Sequence, residues 1–483
     1  MSCGPFQFHA IARLAAPGDN VAIATRRIEA GSVVTLGSRE LTVPHAVLEG
    51  HRFAIRSVAN GEDLLSWGLP FGRAIRAIGA GEYVSNELMI RALRWRDVKV
   101  EIPSQANFED RIEPCALDEE GFVPGPPVDL RAEKRRFMGY RRGGSRGVGT
   151  RNFIVILGTT SRTASIAREI ADRLQPFAAA HPGIDGIVAV SHTEGGGPHV
   201  PNNVLEIHRA LSGFMLHPNV GAVIAIDFGV EPVNNRTLEA FMRSEGEGLD
   251  HVLHRFFTLR GSLGDEYSRV EEWVKTCITQ AASIRRTPEP LDGLVIGLQC
   301  GGSDAFSGIS GNPLAGAVVH EVLRNGGAGV LCETDELVGA ESYVLKSVRD
   351  LPTARALLGA IERFKERLSW HGVTPESNPS AGNNLRGLYN IVLKSLGAAH
   401  KKDPRSRVEH VIAYGEPLRG PGFHFMDSPG NDLEGIAGQV ASGCNVFLFV
   451  TGNGSITNFP FVPTVKITTT TGRHRLLSRE MDV

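Results

Sequence analysis

The 483-residue chain sets 51 Lys and Arg against 53 Asp and Glu, a formal net charge of −2, so no broad basic field recruits nucleic acid. Hydrophobic residues at 42% and charged residues at 22% fit a soluble globular protein with a large core, and a scale of about 150 residues per domain predicts two to four domains. Aromatic residues, at 7%, are too few for a base-stacking surface. The six cysteines (Cys3, Cys115, Cys277, Cys300, Cys332 and Cys444) are scattered without a CxxC pair, the pattern of reduced thiols in a cytoplasmic protein. The opening Met-Ser-Cys-Gly-Pro-Phe lacks a basic region followed by an apolar run, which predicts no secretory leader. No apolar run approaches the roughly 20 residues of a membrane span.

Residues 8–100 alternate short apolar runs with turn residues. The runs are Val21–Ala24, Ser32–Thr35, Leu41–Val43, Phe53–Ile55 and Tyr83-Val84; Gly18-Asp19-Asn20, Glu29-Ala30-Gly31, Ala59-Asn60-Gly61 and Gly79-Ala80-Gly81 separate them. The pattern predicts a small all-β domain over residues 1–102. Prolines at 103, 114, 124, 126 and 127 predict an extended linker over residues 103–135.

From Phe137 onward strands and helices alternate. Strands are expected at 152–158, 185–190 and 220–227, with helices at 163–174, 204–215 and 266–286, giving a first α/β subdomain over 136–288. A second, over 289–483, starts with a strand at 291–298, a helix at 314–324 and a strand at 327–332. It continues more loosely with strands at 410–414, 445–450 and 464–467 and a helix ending at 437–441. Apolar strands alternating with amphipathic helices imply Rossmann-like parallel sheets covered on both faces.

Several loops at strand ends are polar and glycine-rich, the usual place for chemistry in such a fold. Thr159–Ser165 suits an anionic ligand at a helix start, or simple capping by Thr163 or Ser161. In Ser191–His199, His192, Glu194 and His199 could bind a divalent metal or exchange protons, although the spacing matches no tight metal signature and also suits a hydrogen-bonded loop. Leu298–Gly308 offers Cys300, Ser303, Asp304 and Ser307, or a plain turn with one buried thiol. Cys332–Glu336 offers Glu333 and Glu336 for a cation or for proton exchange, or as acids complementing a helix start. Ser377–Asn384, Met426–Asn431 and Thr451–Ile456 add Asn378, Asn383 and Asp427, or serve as turns. No GxxxxGK[ST] loop exists, Gly144–Gly149 precedes a strand instead of following one, and His320-Glu321 lacks the second histidine of a zinc-protease helix.

Taken together, Phe137–Asn152, Gln299–Gly308, Asn378–Asn383 and Phe425–Gly430 resemble the altronate/galactarate dehydratase family, and residues 8–90 resemble its SAF (β-clip) domain. The resemblance implies a hydro-lyase that removes water from a sugar acid to give a 2-keto-3-deoxy acid, generally with an iron-type divalent metal. Related members expel sulfite from sulfolactate. Such an elimination needs a base for a weakly acidic α-proton, positive charge over the developing enediolate, and help for the departing hydroxyl.

The chain departs from the family pattern in a correlated way. Arg162, Gly196 and Val230, the last just before Glu231, stand where members typically carry cysteines, and Tyr83–Glu87 replaces a paired-histidine segment. Three accounts follow: a different metal (Fe, Mn or Mg) on His192, Glu194, Glu231 and Glu333; Arg162 supplying the charge that a metal supplied; or a retained fold serving as a non-catalytic sugar-acid-binding subunit. The expected roles are His192 as base, Cys300 and Asp304 lining the catalytic pocket, Arg151 or Arg162 on the substrate carboxylate, and Ser303, Asn378, Asn383 and Asp427 binding substrate. The expected partner is a small hydroxy acid, with neither nucleic acid nor membrane, and a homo-oligomer is compatible with this reading.

Overall fold

A computed structural model describes residues 5–96 and 98–483, so Cys3 lies outside the described residues. The N-terminal region is β-rich. Its strands include Val21–Ala24, Val33–Leu36, Arg39–Thr42, Arg52–Ala54, Asp63–Ser66 and Leu69–Ala74. The last two form a hairpin whose turn residues Trp67 and Gly68 both have positive φ, +55° and +72°, as a tight right-twisting turn requires. Tyr83, expected in a strand, makes only an isolated bridge to Phe53. A helix at Glu87–Trp95, not foreseen from the sequence, starts where the Asn86 side chain accepts the Met89 N–H.

The stretch expected to be a linker contributes to this module. Phe108–Asp110 pairs antiparallel with Leu69–Ala74, and the buried Phe108 ring meets Phe71 edge to face at 5.5 Å. Prolines exclude regular structure around it, but one aromatic residue with a free sheet edge nearby suffices to tie the segment down.

Two parallel sheets dominate the rest, with a small antiparallel sheet of Arg136–Arg141, Val148–Gly149 and Thr287–Pro290 beside them. The first has the order Gly186–Val190, Phe153–Gly158, Val220–Asp227, Leu253–Thr258. The second has the order Val408–Ile412, Gly422–Met426, Ala328–Leu331, Val295–Cys300, Val446–Thr451, Thr464–Thr468. Leu291–Gly293, expected to begin a strand, is a single 3₁₀ turn before Val295.

Side chains alternate between two apolar cores along each strand. Ile154 and Ile156 pack under the helices Ala164–Ala179 and Leu263–Ser283, whereas Val155 and Leu157 face the second sheet's side. Phe447 and Phe449 share that middle core, and Leu448 and Val450 point the other way, into a core continuous with the N-terminal module. The molecule is thus layered, and helices Val204–Leu216 and Asp432–Ala441 lie between the sheets. They cross closely because position 213 is glycine: a Cβ there would stand 2.2 Å from the Ala441 carbonyl oxygen. Their C-terminal ends meet at that contact, and Tyr414 neighbours both Glu434 and Glu206 near their starts. The helices therefore run the same way, and the carboxyl ends of both sheets open on one side. Among the described residues no helix is long and apolar enough to cross a membrane.

Candidate active site

The Val295–Cys300 strand ends in a buried thiol, and the loop behind it must be glycine. A Cβ on Gly301 would lie 2.4 Å from the Asp432 carboxylate, and Gly302 has φ +62°. The neighbouring Ala328–Leu331 strand ends at Cys332 and then turns sharply through Glu333, whose φ of +71° is unusual for a side chain of this size. Ser428 holds the turn by accepting the Glu333 N–H at 2.9 Å, and Asp427 braces it by accepting the Thr334 hydroxyl at 2.8 Å. The third contributor is helix Ile391–Ala399, capped by Asn390. It is almost wholly apolar, apart from Lys394 and Ser395, and Lys401 follows two residues beyond its end.

These elements converge on one buried cluster. Lys401 Nζ donates to Glu333 Oε2 at 2.8 Å, to Glu336 Oε2 at 3.0 Å and to Cys300 Sγ at 3.1 Å, which uses all three of its hydrogens. The Cys300 thiol donates to Glu336 Oε2 at 3.0 Å, and the Ser303 hydroxyl lies 3.5 Å from its sulfur. On the other side of Glu336, Lys394 Nζ approaches Oε1 at 3.2 Å and donates to Asn378 Oδ1 at 3.0 Å. Asn378 in turn donates to Asp335 Oδ2 at 2.8 Å, and Asp335 Oδ1 is buried without a partner. The Lys401 side chain is 1% exposed, and that of Lys394 is 12%. Lys394 is therefore the edge of the cluster, with one ammonium hydrogen left for a ligand.

Burial alone would raise both glutamates. Lys401 and Lys394 overcome it at Glu336 and hold its carboxyl down at about 2. Glu333 goes the other way, raised well above the carboxylate range by burial and by the charge of Glu336. Burial, reinforced by Glu336, also raises the Cys300 thiol. Lys401 keeps its proton because these neighbours outweigh its desolvation, and the same balance raises Lys394. The cluster thus favours charged ammonium groups on Lys401 and Lys394 and a charged Glu336, and the neutral forms of Glu333 and Cys300.

Of the residues expected from the sequence, Cys300, Ser303, Glu333 and Asn378 meet here. Asn383 and Asp427 support them: Asn383 donates to the Ser303 carbonyl at 2.8 Å, and Asp427 also pairs with Arg363 at 3.2 Å. Asp304 is buried and accepts the Phe306 and Ser307 N–H groups and the Thr469 hydroxyl, so it shapes its own loop. The first sheet carries the others. His192 is half-buried just after the strand Gly186–Val190 and beside Gly158; its Nδ1 accepts the Glu194 N–H at 3.2 Å, and burial lowers its pKa. Glu194 is exposed and accepts from Asn203 at 3.2 Å. Arg162 is exposed and holds the loop by donating to the Gly196 carbonyl at 2.7 Å. Glu231 accepts the N–H groups of Phe228 and Val230, its own turn. Arg151 sits at the amino end of its strand, paired with Asp185 at 3.3 Å, away from the carboxyl ends where the loops gather.

The expected metal set of His192, Glu194, Glu231 and Glu333 is therefore not brought together. Among the described residues the one group of three or more potential ligands is Cys300, Glu333 and Glu336, whose ligand atoms lie within 4.8 Å of one another, a set compatible with a metal. Sequence reasoning missed Lys394 and Lys401. Their signal was present: Lys394 interrupts a nearly apolar helix and Lys401 follows just past its end, and a lysine in so apolar a stretch demands a partner.

Three family models match in series. The altronate/galactarate dehydratase SAF domain covers residues 12–91, the D-galactarate dehydratase/altronate hydrolase second domain 139–282, and the D-galactarate/altronate dehydratase C-terminal domain 291–483. An altronate dehydratase of Escherichia coli (strain K12) is 32% identical over 456 residues, covering 93% of this chain and 85% of the relative. One from Bacillus subtilis (strain 168) is 30% identical over 457 residues, 94% and 85% of the two chains. The (2R)-sulfolactate sulfo-lyase subunit beta of Chromohalobacter salexigens is 28% identical over 352 residues, 72% of this chain and 86% of that one.

Proposed function

The chain belongs to the altronate/galactarate dehydratase family, and on that premise we propose that this hydro-lyase removes water from an aldonate or aldarate to leave a 2-keto-3-deoxy acid. The observation that carries the reading is the buried Lys401–Cys300–Glu333–Glu336 cluster at the carboxyl end of a central strand, edged by Lys394 with a free donor. We read the two helix-covered parallel sheets as Rossmann-like, with the reaction in the space above their carboxyl ends.

In this scheme Lys394 and Asn378 take the substrate carboxylate, and Asp335 Oδ1 accepts a substrate hydroxyl. A base removes the proton α to the carboxylate, and the electron pair forms the C=C bond as the β C–O bond breaks. The hydroxyl leaves as water with a proton from an acid, and the resulting enol tautomerises to the 2-keto acid. Glu333, whose neutral form is favoured by burial and by the Glu336 charge, suits the acid role. His192 is our base candidate: burial keeps its ring neutral, and because Nδ1 accepts the Glu194 N–H at 3.2 Å, Nε2 carries the hydrogen, so base action needs that contact released and the proton shifted between the ring nitrogens. Ser303, Asp304, Asn383 and Asp427 hold the surrounding loops. The Cys300, Glu333 and Glu336 donors suit a divalent cation by type, yet each already accepts a hydrogen from Lys401, so no step is routed through a metal.

The test is a panel of aldonic and aldaric acids assayed for 2-keto acid, with and without added iron, manganese or magnesium. Turnover of at least one acid is expected, and it should fall by at least a hundredfold in His192→Asn. A panel in which acids raise the melting temperature but none yields keto acid would replace the enzyme reading with a binding one.

A further inference from the structure

We propose that the Lys401 ammonium is the resident cation of the Cys300–Glu333–Glu336 centre and holds the seat that a divalent metal would take. The three ligand atoms are close enough to share one cation, and each is already in contact with Nζ, at 3.1, 2.8 and 3.0 Å. Those distances are those of charge-assisted hydrogen bonds, and an ammonium has three hydrogens to give. The ammonium's count is therefore closed: its three hydrogens meet the three potential ligand atoms. The side chain is fully enclosed, so solvent does not compete for it. A second ammonium, Lys394, stands 3.2 Å from the far oxygen of Glu336, so an incoming dication would meet two fixed positive charges around one carboxylate. The thiol, too, would have to give up its proton to become a ligand, and it already donates that proton to Glu336.

The arrangement has a functional consequence. A metal must be acquired and can be lost or oxidised, whereas a lysine delivered by the helix is present in every folded molecule. Lys401 acts here as a positioning residue. It fixes the two carboxyls and the thiol in one geometry and orients Glu336 towards Lys394.

Cobalt(II) is a suitable probe because thiolate ligation gives an intense charge-transfer absorption, independent of turnover, so the outcome is separate from that of the dehydration assay. The full-length chain, stripped with chelator, is titrated with Co²⁺ alone. No thiolate–cobalt band assignable to Cys300 is expected: wild type and Cys300→Ser should give the same spectrum, and freshly purified protein should hold well under one metal per chain. Lys401→Ala should gain a saturable band at one equivalent that Lys401→Ala/Cys300→Ser lacks. A band in wild type that Cys300→Ser abolishes would overturn the proposal. So would a folded Lys401→Ala, checked by circular dichroism, that binds no cobalt, since the ammonium would then not be what holds the seat. If Lys401→Ala does not fold, the wild-type and Cys300→Ser titrations decide alone.

Discussion

Acid should loosen the seam between the N-terminal module and the second sheet through one histidine. His51 is fully buried there. Its Nε2 lies 2.8 Å from the Leu385 carbonyl oxygen, so that nitrogen carries the hydrogen, and Nδ1 accepts the Tyr83 hydroxyl at 2.7 Å. One proton on the ring thus satisfies both nitrogens. Burial first, and the neighbouring Arg52 charge second, lower its pKa from 6.5 to about 4 against the pull of the Leu385 carbonyl. The unfolded chain takes up a proton near pH 6.5, and the folded one does so only near 4. Stability from this group is therefore present above about pH 6.5 and is lost as pH falls towards 4. At 1.36 kcal/mol per unit, the loss is about 2 kcal/mol by about pH 5 and about 3 kcal/mol at full protonation.

His217 and His424, lowered by burial to about 3 and about 4, titrate in the same direction. A comparison therefore isolates His51: urea unfolding of wild type and His51→Gln at about pH 7.5 and about pH 5. The variant should start less stable but lose about 2 kcal/mol less on acidification. Equal losses in the two proteins would refute the assignment of this pH dependence to His51.

Three further outcomes follow from the geometry. Gly213→Leu should separate the two helices between the sheets, because the Ala441 backbone 2.2 Å from its Cβ cannot move aside cheaply; a loss of about 1–3 kcal/mol is expected in thermal or urea unfolding. Phe108→Ala should cost about 3–5 kcal/mol, since the ring is buried against Phe71. A change near zero in the same melts would return residues 103–135 to the status of a linker. Lys394→Met should raise KM for an accepted sugar acid about 10- to 150-fold, the worth of one charged hydrogen bond, with an unchanged KM removing it from the carboxylate site.

Strands such as Val21–Ala24 and Val220–Asp227 were legible because each is a continuous apolar run with turn residues at both ends. Gly422–Met426 was not. His424 interrupts its run, yet that ring is buried, with Nδ1 near the Gly422 carbonyl and the ring beside His410, an environment that only the neighbouring strand creates. Leu253–Thr258 hid for the same reason, because His254 and Arg255 read as exposed loop until the strand pairs with Val220–Asp227. The loops that carry Cys300, Glu333, Asn378 and Asp427 were visible as glycine-rich or polar punctuation after strands. Arg151 shows the limit of that reasoning: it adjoins a strong motif, but it lies before its strand, not after it.

The chain's own order of residues determined where strands end, which loops can bend past a ligand and which helix face is apolar, because each of these depends on neighbours within a few positions. Tertiary structure alone decided that Lys401 would meet Cys300, Glu333 and Glu336, partners 65 to 101 residues away. Their meeting depends on how the crossover helices lay one strand beside another, and no local period records that. The same crossovers set Glu333 beside Lys401 and left His192, Glu194 and Glu231 on the other sheet.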